Sequence, residues 1–255
     1  MPTLSSSTLR IQPYGRDVVS ASIFGNESAN SGAIIMNYGF PGDSRNYDIA
    51  CRLAELGYVL YIPHPRGIEG SDGMFTFRDA SECFIAVLEY CKENQHVVGV
   101  VSYCYSALWV LQALVDRSYV VKVLSLAPIL DWSTARLRIN ELSEGGFQGF
   151  LEQSLHGKRQ GFYGVRCEPE HLMSEYMELE GSINLRNIVA EPYRAPITTL
   201  FGESDLIVDQ GEIYSSHDYL RALGMDSEVI CIPGTGHFFT MRRRLLFEQF
   251  KVWAR

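Results

Sequence analysis

The sequence predicts an α/β protein: a mostly parallel sheet flanked by helices, with a helical cap inserted between two of its strands. Three observations lead there. Short continuous apolar runs recur along the 255 residues, segments with helix-spaced apolar residues separate them, and one long interval breaks the alternation. Unbroken apolar runs are expected where both faces of a sheet are covered, as in parallel sheets. Strand and helix in alternation imply helices wrapped around such a sheet.

The apolar runs are Ala33 to Met36, Tyr58 to Ile62, Val97 to Val101, Val121 to Leu126, Ile197 to Phe201 and Glu228 to Ile232. Ahead of them, Val18 to Phe24 alternates between apolar and small polar residues, the pattern of a half-buried, antiparallel strand. Helical spacing marks Tyr47 to Leu56, Asp79 to Cys91, Ala107 to Val115, Gly211 to Leu223 and Arg243 to Trp253. Between about Pro128 and Pro196 no strand pattern occurs, only helical stretches and a glycine-rich segment around Gly145, Gly146 and Gly149. The expected organisation is a core of residues 1–127 and 196–255 with a cap at 128–195.

Composition excludes several functions. Hydrophobic side chains make up 46% and charged ones 20%, the balance of a globular protein, and a net charge of −8 argues against a nucleic-acid surface. The one dense basic run, Arg242 to Arg244, reads equally well as a solvated helix start. Met1 to Val18 lacks a secretory apolar stretch, and no apolar run is long enough to span a membrane. Six cysteines (Cys51, Cys83, Cys91, Cys104, Cys167 and Cys231) are scattered without metal-ligand spacing, so reduced thiols in the cytoplasm are expected, with no metal site. Neither a Gly-x-Gly-x-x-Gly nor a phosphate loop is present, so no organic cofactor is expected.

The most informative segment is Val97 to Trp109. A buried strand runs straight into a helix, with Cys104 at the junction and Ser102 and Ser106 two positions to either side. Such a sharp turn crowds the backbone, so its flanks must be small. The helix start offers N–H groups and a positive dipole end, which favour a thiolate, the attacking form of cysteine. Ser102 and Ser106 are the alternative nucleophiles, and a plain buried cysteine is the alternative role.

Ser102-Tyr103-Cys104-Tyr105-Ser106 resembles the nucleophile elbow of the α/β-hydrolase family. Cysteine at its centre resembles dienelactone hydrolases, although serines replace the usual flanking glycines. The resemblance implies an acid and a histidine following in that order. His237 lies in a loop after the last strand run, where the family carries its histidine; His156 and His171 fall in the cap and His217 in a helical pattern. Gly202-Glu203-Ser204-Asp205-Leu206-Ile207-Val208 resembles the family's acid loop, which makes Asp205 the expected acid. Asp131 is its competitor, because some members take the acid after the preceding strand, and Asp209 suits a helix N-cap. Asn37-Tyr38-Gly39-Phe40-Pro41-Gly42 resembles the oxyanion loop, with Tyr38 in place of the usual histidine. The oxyanion donors implied are the N–H groups of Phe40 and Tyr105.

The cap is rich in apolar and aromatic residues. Trp132, Phe150 and Tyr176, together with Tyr38, are expected to border the substrate. The layout from Ile129 through Val208 is also similar to the acyl-carrier-protein thioesterases and acyltransferases of bacterial luminescence, which have serine at the elbow. These features point to acyl transfer through a Cys-His-Asp triad, on a small-molecule or carrier-bound acyl thioester, with an acyl carrier protein as a conceivable partner. Lactone or ester hydrolysis of the dienelactone type is the alternative activity, and a silent hydrolase fold used for binding is the alternative class.

Overall fold

A computed structural model describes residues 4–13, 17–26, 31–40, 47–159 and 165–255, with the side chains of 153–159 outside the description. The strands form one eight-stranded sheet in the order β1-β2-β4-β3-β5-β6-β7-β8. The chain gathers into two compact units, Met1–Val100 with Glu152–Tyr176, and Val101–Leu151 with Met177–Arg255. Residues 128–195 are divided between them.

In the first unit, β1 (Leu4–Ile11) pairs antiparallel with β2 (Val19–Asn26), and β2 pairs antiparallel with β4 (Val59–His64). β3 (Ala33–Asn37) lies parallel to β4, with Ala33 opposite Val59. Sequence patterning misses β1 because Ser5 to Thr8 and Arg10 are exposed, so backbone pairing alone makes it a strand. Helix α1 (Tyr47–Glu55) buries Ile49, Ala50, Leu53 and Ala54, positions spaced three and four apart, against β2 and β4. Helix α2 (Glu82–Asn94) packs on β3 and β4 and begins three residues later than the sequence suggests. The loop after β4 is held by backbone bonds: Arg166 N–H donates to Gly67 O at 2.8 Å and Phe75 N–H to Arg166 O at 2.7 Å. An added Cβ on Gly67 would sit 2.5 Å from Arg166 O, so only glycine allows this approach.

β5 (Val97–Tyr103) leads into the second unit. There α3 (Ser106–Asp116) follows it, with a buried face that includes Leu108, Val110, Leu111 and Leu114. β6 (Val123–Leu126), β7 (Ile197–Gly202) and β8 (Ser227–Ile232) run parallel in register, Val123 opposite Ile197 and Ile197 opposite Ser227. Between β6 and β7 the described residues form helices α4 (Trp132–Leu142), α5 (Gly146–Arg159), α6 (Pro169–Leu179) and α7 (Leu185–Ile188), and a single isolated bridge joins Asp131 to Asn184. Helix α8 (Gln210–Ala222) packs on β8, and α9 (Arg243–Ala254) closes the chain. Parallel β6, β7 and β8 put their carboxyl ends, and the loops that leave them, on one side of this unit. Ligand sites of open α/β sheets collect at such ends. Among the described residues no helix is long and apolar enough to cross a membrane.

Candidate active site

The strand-to-helix turn is strained at one residue. Cys104 has φ +56°, in the left-handed region that residues with a Cβ rarely occupy, a conformation that costs on the order of 1–3 kcal/mol. The surroundings hold it there. Cys104 N–H donates to Leu126 O at 3.0 Å, and Cys104 O accepts from Ala107 N–H and Ile129 N–H, each at 3.2 Å. The end of β6 thus grips the turn.

Both flanking serines are fully buried and engaged. Ser106 Oγ accepts from Tyr103 N–H at 2.8 Å and donates to Tyr103 O at 3.0 Å, so the small residue also laces the turn. Ser102 Oγ bonds Ser125 Oγ on β6 at 3.0 Å. Cys104, by contrast, keeps 8% of its surface exposed.

Asp205 and His237 come together in the same unit. Asp205 Oδ1 accepts from Ile207 N–H at 2.9 Å and Val208 N–H at 3.0 Å, which fixes the carboxylate in its loop. Its second oxygen, Oδ2, meets His237 Nδ1 at 2.9 Å, and both residues are buried. The loops that carry them are joined through main-chain bonds, Ser204 N–H to Thr235 O at 2.9 Å and Glu203 N–H to Ile232 O at 3.0 Å. With Nδ1 taken by Asp205, the other ring nitrogen is the one left to serve Cys104, whose side chain acts on the imidazole.

Burial by itself disfavours the charged imidazole. The charge of a Cys104 thiolate, hydrogen bonds to Asp205 and Cys104, and the Asp205 charge outweigh it, raising His237 to about 10. Four other thiols are held in their neutral, less reactive form. Burial raises Cys83 and Cys91 to about 12, and burial with neighbouring carboxylates raises Cys51 and Cys231.

The alternatives weighed on sequence lie elsewhere. Asp131 caps α4, accepting from Ser133 N–H at 2.8 Å and Thr134 N–H at 3.2 Å. Asp209 caps α8 through Glu212 N–H at 2.8 Å. His217 is buried between Thr199 Oγ1, at 2.8 Å, and Ser227 Oγ. His171 is exposed on α6, and the side chain of His156 lies outside the described residues.

Tyr105 stands at the head of α3 with its ring edge-on to Trp132, centroids 5.8 Å apart, and both are buried. Phe150 is half-buried on α5, beside Phe147 at 6.2 Å. In the first unit, Phe40 follows β3 and stacks on Phe75 at 4.9 Å, while Pro41 and Gly42 of the same loop lie outside the described residues. Tyr38 is half-buried against Tyr47, at 5.5 Å. Tyr176 is fully buried, edge-on to Phe77 at 5.7 Å. Among the described residues no group of three or more His, Cys, Asp or Glu side chains could hold a metal ion.

Sequence reasoning overlooked Tyr103, whose hydroxyl donates to His237 O at 2.8 Å. Nothing local marks a bond between residues 134 positions apart.

No family model matches the sequence, and no curated protein is similar to it by sequence. Solved structures match over nearly the whole chain. The α/β hydrolase GrgF from Penicillium sp. sh18 is 19% identical with a TM-score of 0.71, and 98% of each chain is covered. Esterase Pf2001 of Pyrococcus furiosus is 14% identical at a TM-score of 0.73, covering 99% of this chain and 92% of that one. Est1E from Butyrivibrio proteoclasticus, solved with ferulic acid bound, is 17% identical at 0.69, covering 96% and 97%. At these identities the likeness speaks to architecture: a mostly parallel eight-stranded sheet flanked by helices, which is the α/β-hydrolase fold.

Proposed function

We propose that this chain is an acyl-transfer enzyme that works through a covalent acyl group on Cys104, with acyl thioesters as its preferred donors. One observation carries the reading: a cysteine on a strained elbow acts electrostatically on a histidine whose Nδ1 is held by a buried, doubly anchored aspartate. That is the nucleophile, base and orienting acid of covalent catalysis, recognised by roles rather than by sequence position.

The Cys104 thiolate attacks the donor carbonyl and forms a carbon–sulfur bond, and the negative charge moves to the carbonyl oxygen. Tyr105 N–H, at the head of α3, is the proposed donor to that oxygen. As the tetrahedral species collapses, the bond to the leaving thiol breaks and the His237 imidazolium supplies its proton. Water or another nucleophile then gives a proton to His237, attacks the acyl carbon and frees Cys104. Exchange of one thioester for another changes little in bond energy, which is why a cysteine suits this donor class. A carrier-bound acyl group fits the same chemistry. No step requires an organic cofactor. All six cysteines are free thiols, which suits a reducing compartment such as the cytoplasm.

Ester or lactone hydrolysis is the second reading, favoured by esterase Pf2001 among the similar structures. A lactone of the dienelactone type needs a cation for the ring's carboxylate. Arg45, Arg66 and Arg136 are the cations such a reaction would call on: Arg66 pairs with Asp17 at 3.5 Å and Glu82 at 3.2 Å, Arg136 pairs with Glu180, and Arg45 lies outside the described residues. Those engagements favour the thioester. The Asp205–His237 hydrogen bond, with Cys104 acting on the same imidazole, supports an enzyme over a silent scaffold.

Intact-mass spectrometry after exposure to acyl thioesters of increasing length, beside a set of lactones, tests the choice. Wild type is expected to gain one acyl mass that Cys104→Ala does not. If Phe150 and Trp132 border the chain, acylation should quicken by roughly three- to fourfold per added methylene until the space is full. Fast lactone opening with a flat thioester series would overturn the substrate class. No adduct and no turnover from any donor would overturn the enzyme.

A further inference from the structure

The residue ahead of the nucleophile holds a contact that neither the elbow pattern nor the triad accounts for. Tyr103 ends β5 and is 3% exposed. Its hydroxyl donates a 2.8 Å hydrogen bond to the main-chain carbonyl of His237, and its ring lies 5.4 Å from the imidazole, centroid to centroid. At its other end the Tyr103 main chain is laced to Ser106 Oγ through both N–H and C=O. One residue is therefore fastened both to the nucleophile turn and to the histidine loop.

We infer that Tyr103 is a positioning residue, whose hydroxyl keeps His237 in register with Cys104, the residue bonded directly to it. The inference rests on the proposed roles of Cys104 and His237. Asp205 secures the imidazole through one atom pair, and held by that pair alone the ring would swing with any shift of its loop. That loop contains Gly234, at φ +63°, and Gly236, neither of which stiffens the backbone with a side chain. A second anchor on the His237 main chain removes the swing. Packing does not explain the tyrosine, because phenylalanine would fill the same space; the hydroxyl is there for its partner. The proton that His237 gives to the leaving thiol in acylation, and takes from the incoming nucleophile in deacylation, needs the imidazole placed against Cys104 to a fraction of an ångström.

The test is Tyr103→Phe, which keeps the ring and removes the hydroxyl. Tyr193→Phe serves as the comparison, since it deletes an equally buried hydroxyl that bonds Val121 N–H and C=O away from the triad. Folding is checked by circular dichroism and thermal melting, turnover by steady-state kinetics, and His237 by NMR titration of its ring. Tyr103→Phe is expected to lose about ten- to a hundredfold in kcat with KM changed less than about twofold. His237 should also release its proton at lower pH, towards the ordinary value of 6.5, because its contacts with Cys104 and Asp205 loosen. Tyr193→Phe should move the melting temperature alone. If folded Tyr103→Phe matches wild type in kcat and in the His237 titration, or changes only in melting as Tyr193→Phe does, the inference is overturned. Failure of the proposed reaction is separable. It appears as absent turnover in wild type, and the titration still reports whether Tyr103 positions His237.

Discussion

Replacing Gly202 with alanine probes how closely the acid and histidine loops must meet. Gly202 is the last residue of β7, three positions before Asp205. A Cβ added there would lie 2.4 Å from Thr235 O, 2.7 Å from Gly236 O and 2.9 Å from Thr235 C. All three are backbone atoms just before His237, so no side chain can rotate out of the way. Carbon and oxygen need about 3.2–3.4 Å, and the loop must retreat by close to 1 Å, about the displacement that costs a hundredfold in rate. Overpacking of this kind also costs roughly 1–3 kcal/mol of stability. Gly236→Ala is the graded comparison: its added Cβ would meet Ser204 O at 3.3 Å, and a shift of a few tenths of an ångström suffices. Two assays read the result, kcat on the best acyl donor and the rate of Cys104 alkylation by iodoacetamide, which needs no substrate. Gly202→Ala should fall about a hundredfold in the first and clearly in the second, with Gly236→Ala between it and wild type. Wild-type rates in a folded Gly202→Ala protein would show that the loops do not depend on this contact, and the reasoning would fail.

Asp205→Asn should fold normally, because its Oδ1 can still accept from Ile207 and Val208 N–H, yet kcat should fall by about 10³–10⁴ through loss of the proper imidazole tautomer; retention of more than a tenth of the activity would contradict the triad. Iodoacetamide should label Cys104 ahead of Cys51, Cys83, Cys91 and Cys231, whose thiols are raised by burial, and uniform labelling on peptide mapping would refute this. Acid should weaken the fold through His64 and His217, both lowered from 6.5 to about 4 chiefly by burial. In the unfolded chain each takes a proton near 6.5 and in the folded chain only near 4, so each removes up to about 3 kcal/mol as pH falls through that window. His237 has the opposite sign: its contribution is complete below 6.5 and is lost as pH rises through about 10. Urea denaturation between pH 7 and 4.5 should show a shallower pH slope for His217→Gln than for wild type, and parallel slopes would remove His217 from the account.

Sequence by itself determined the elements from β2 onward that carry a buried face, and their order. The runs at Ala33, Val97 and Ile197 are strands, the patterns at Tyr47, Ala107 and Gly211 are helices, and Asp209 caps the helix it precedes. These features are local: burial of a face repeats every two or 3.6 residues, and a cap acts within three positions. The elbow is legible for the same reason, since crowding at one turn constrains its immediate neighbours. Where local signals ended, only the tertiary structure decided. Asp131 and Asp205 look alike in sequence, and what separates them is that α4 takes the lone pairs of one while His237, 32 residues away, meets the other. Ser102 and Cys104 are two residues apart, yet a partner on β6 claims the serine. The exposed strand β1 exists because β2 offers it a ladder, with no buried face to announce it. Tyr103 reaches His237 across 134 positions, and no periodicity encodes such a contact, because it joins the end of one strand to the loop after another and nothing in their own neighbourhoods.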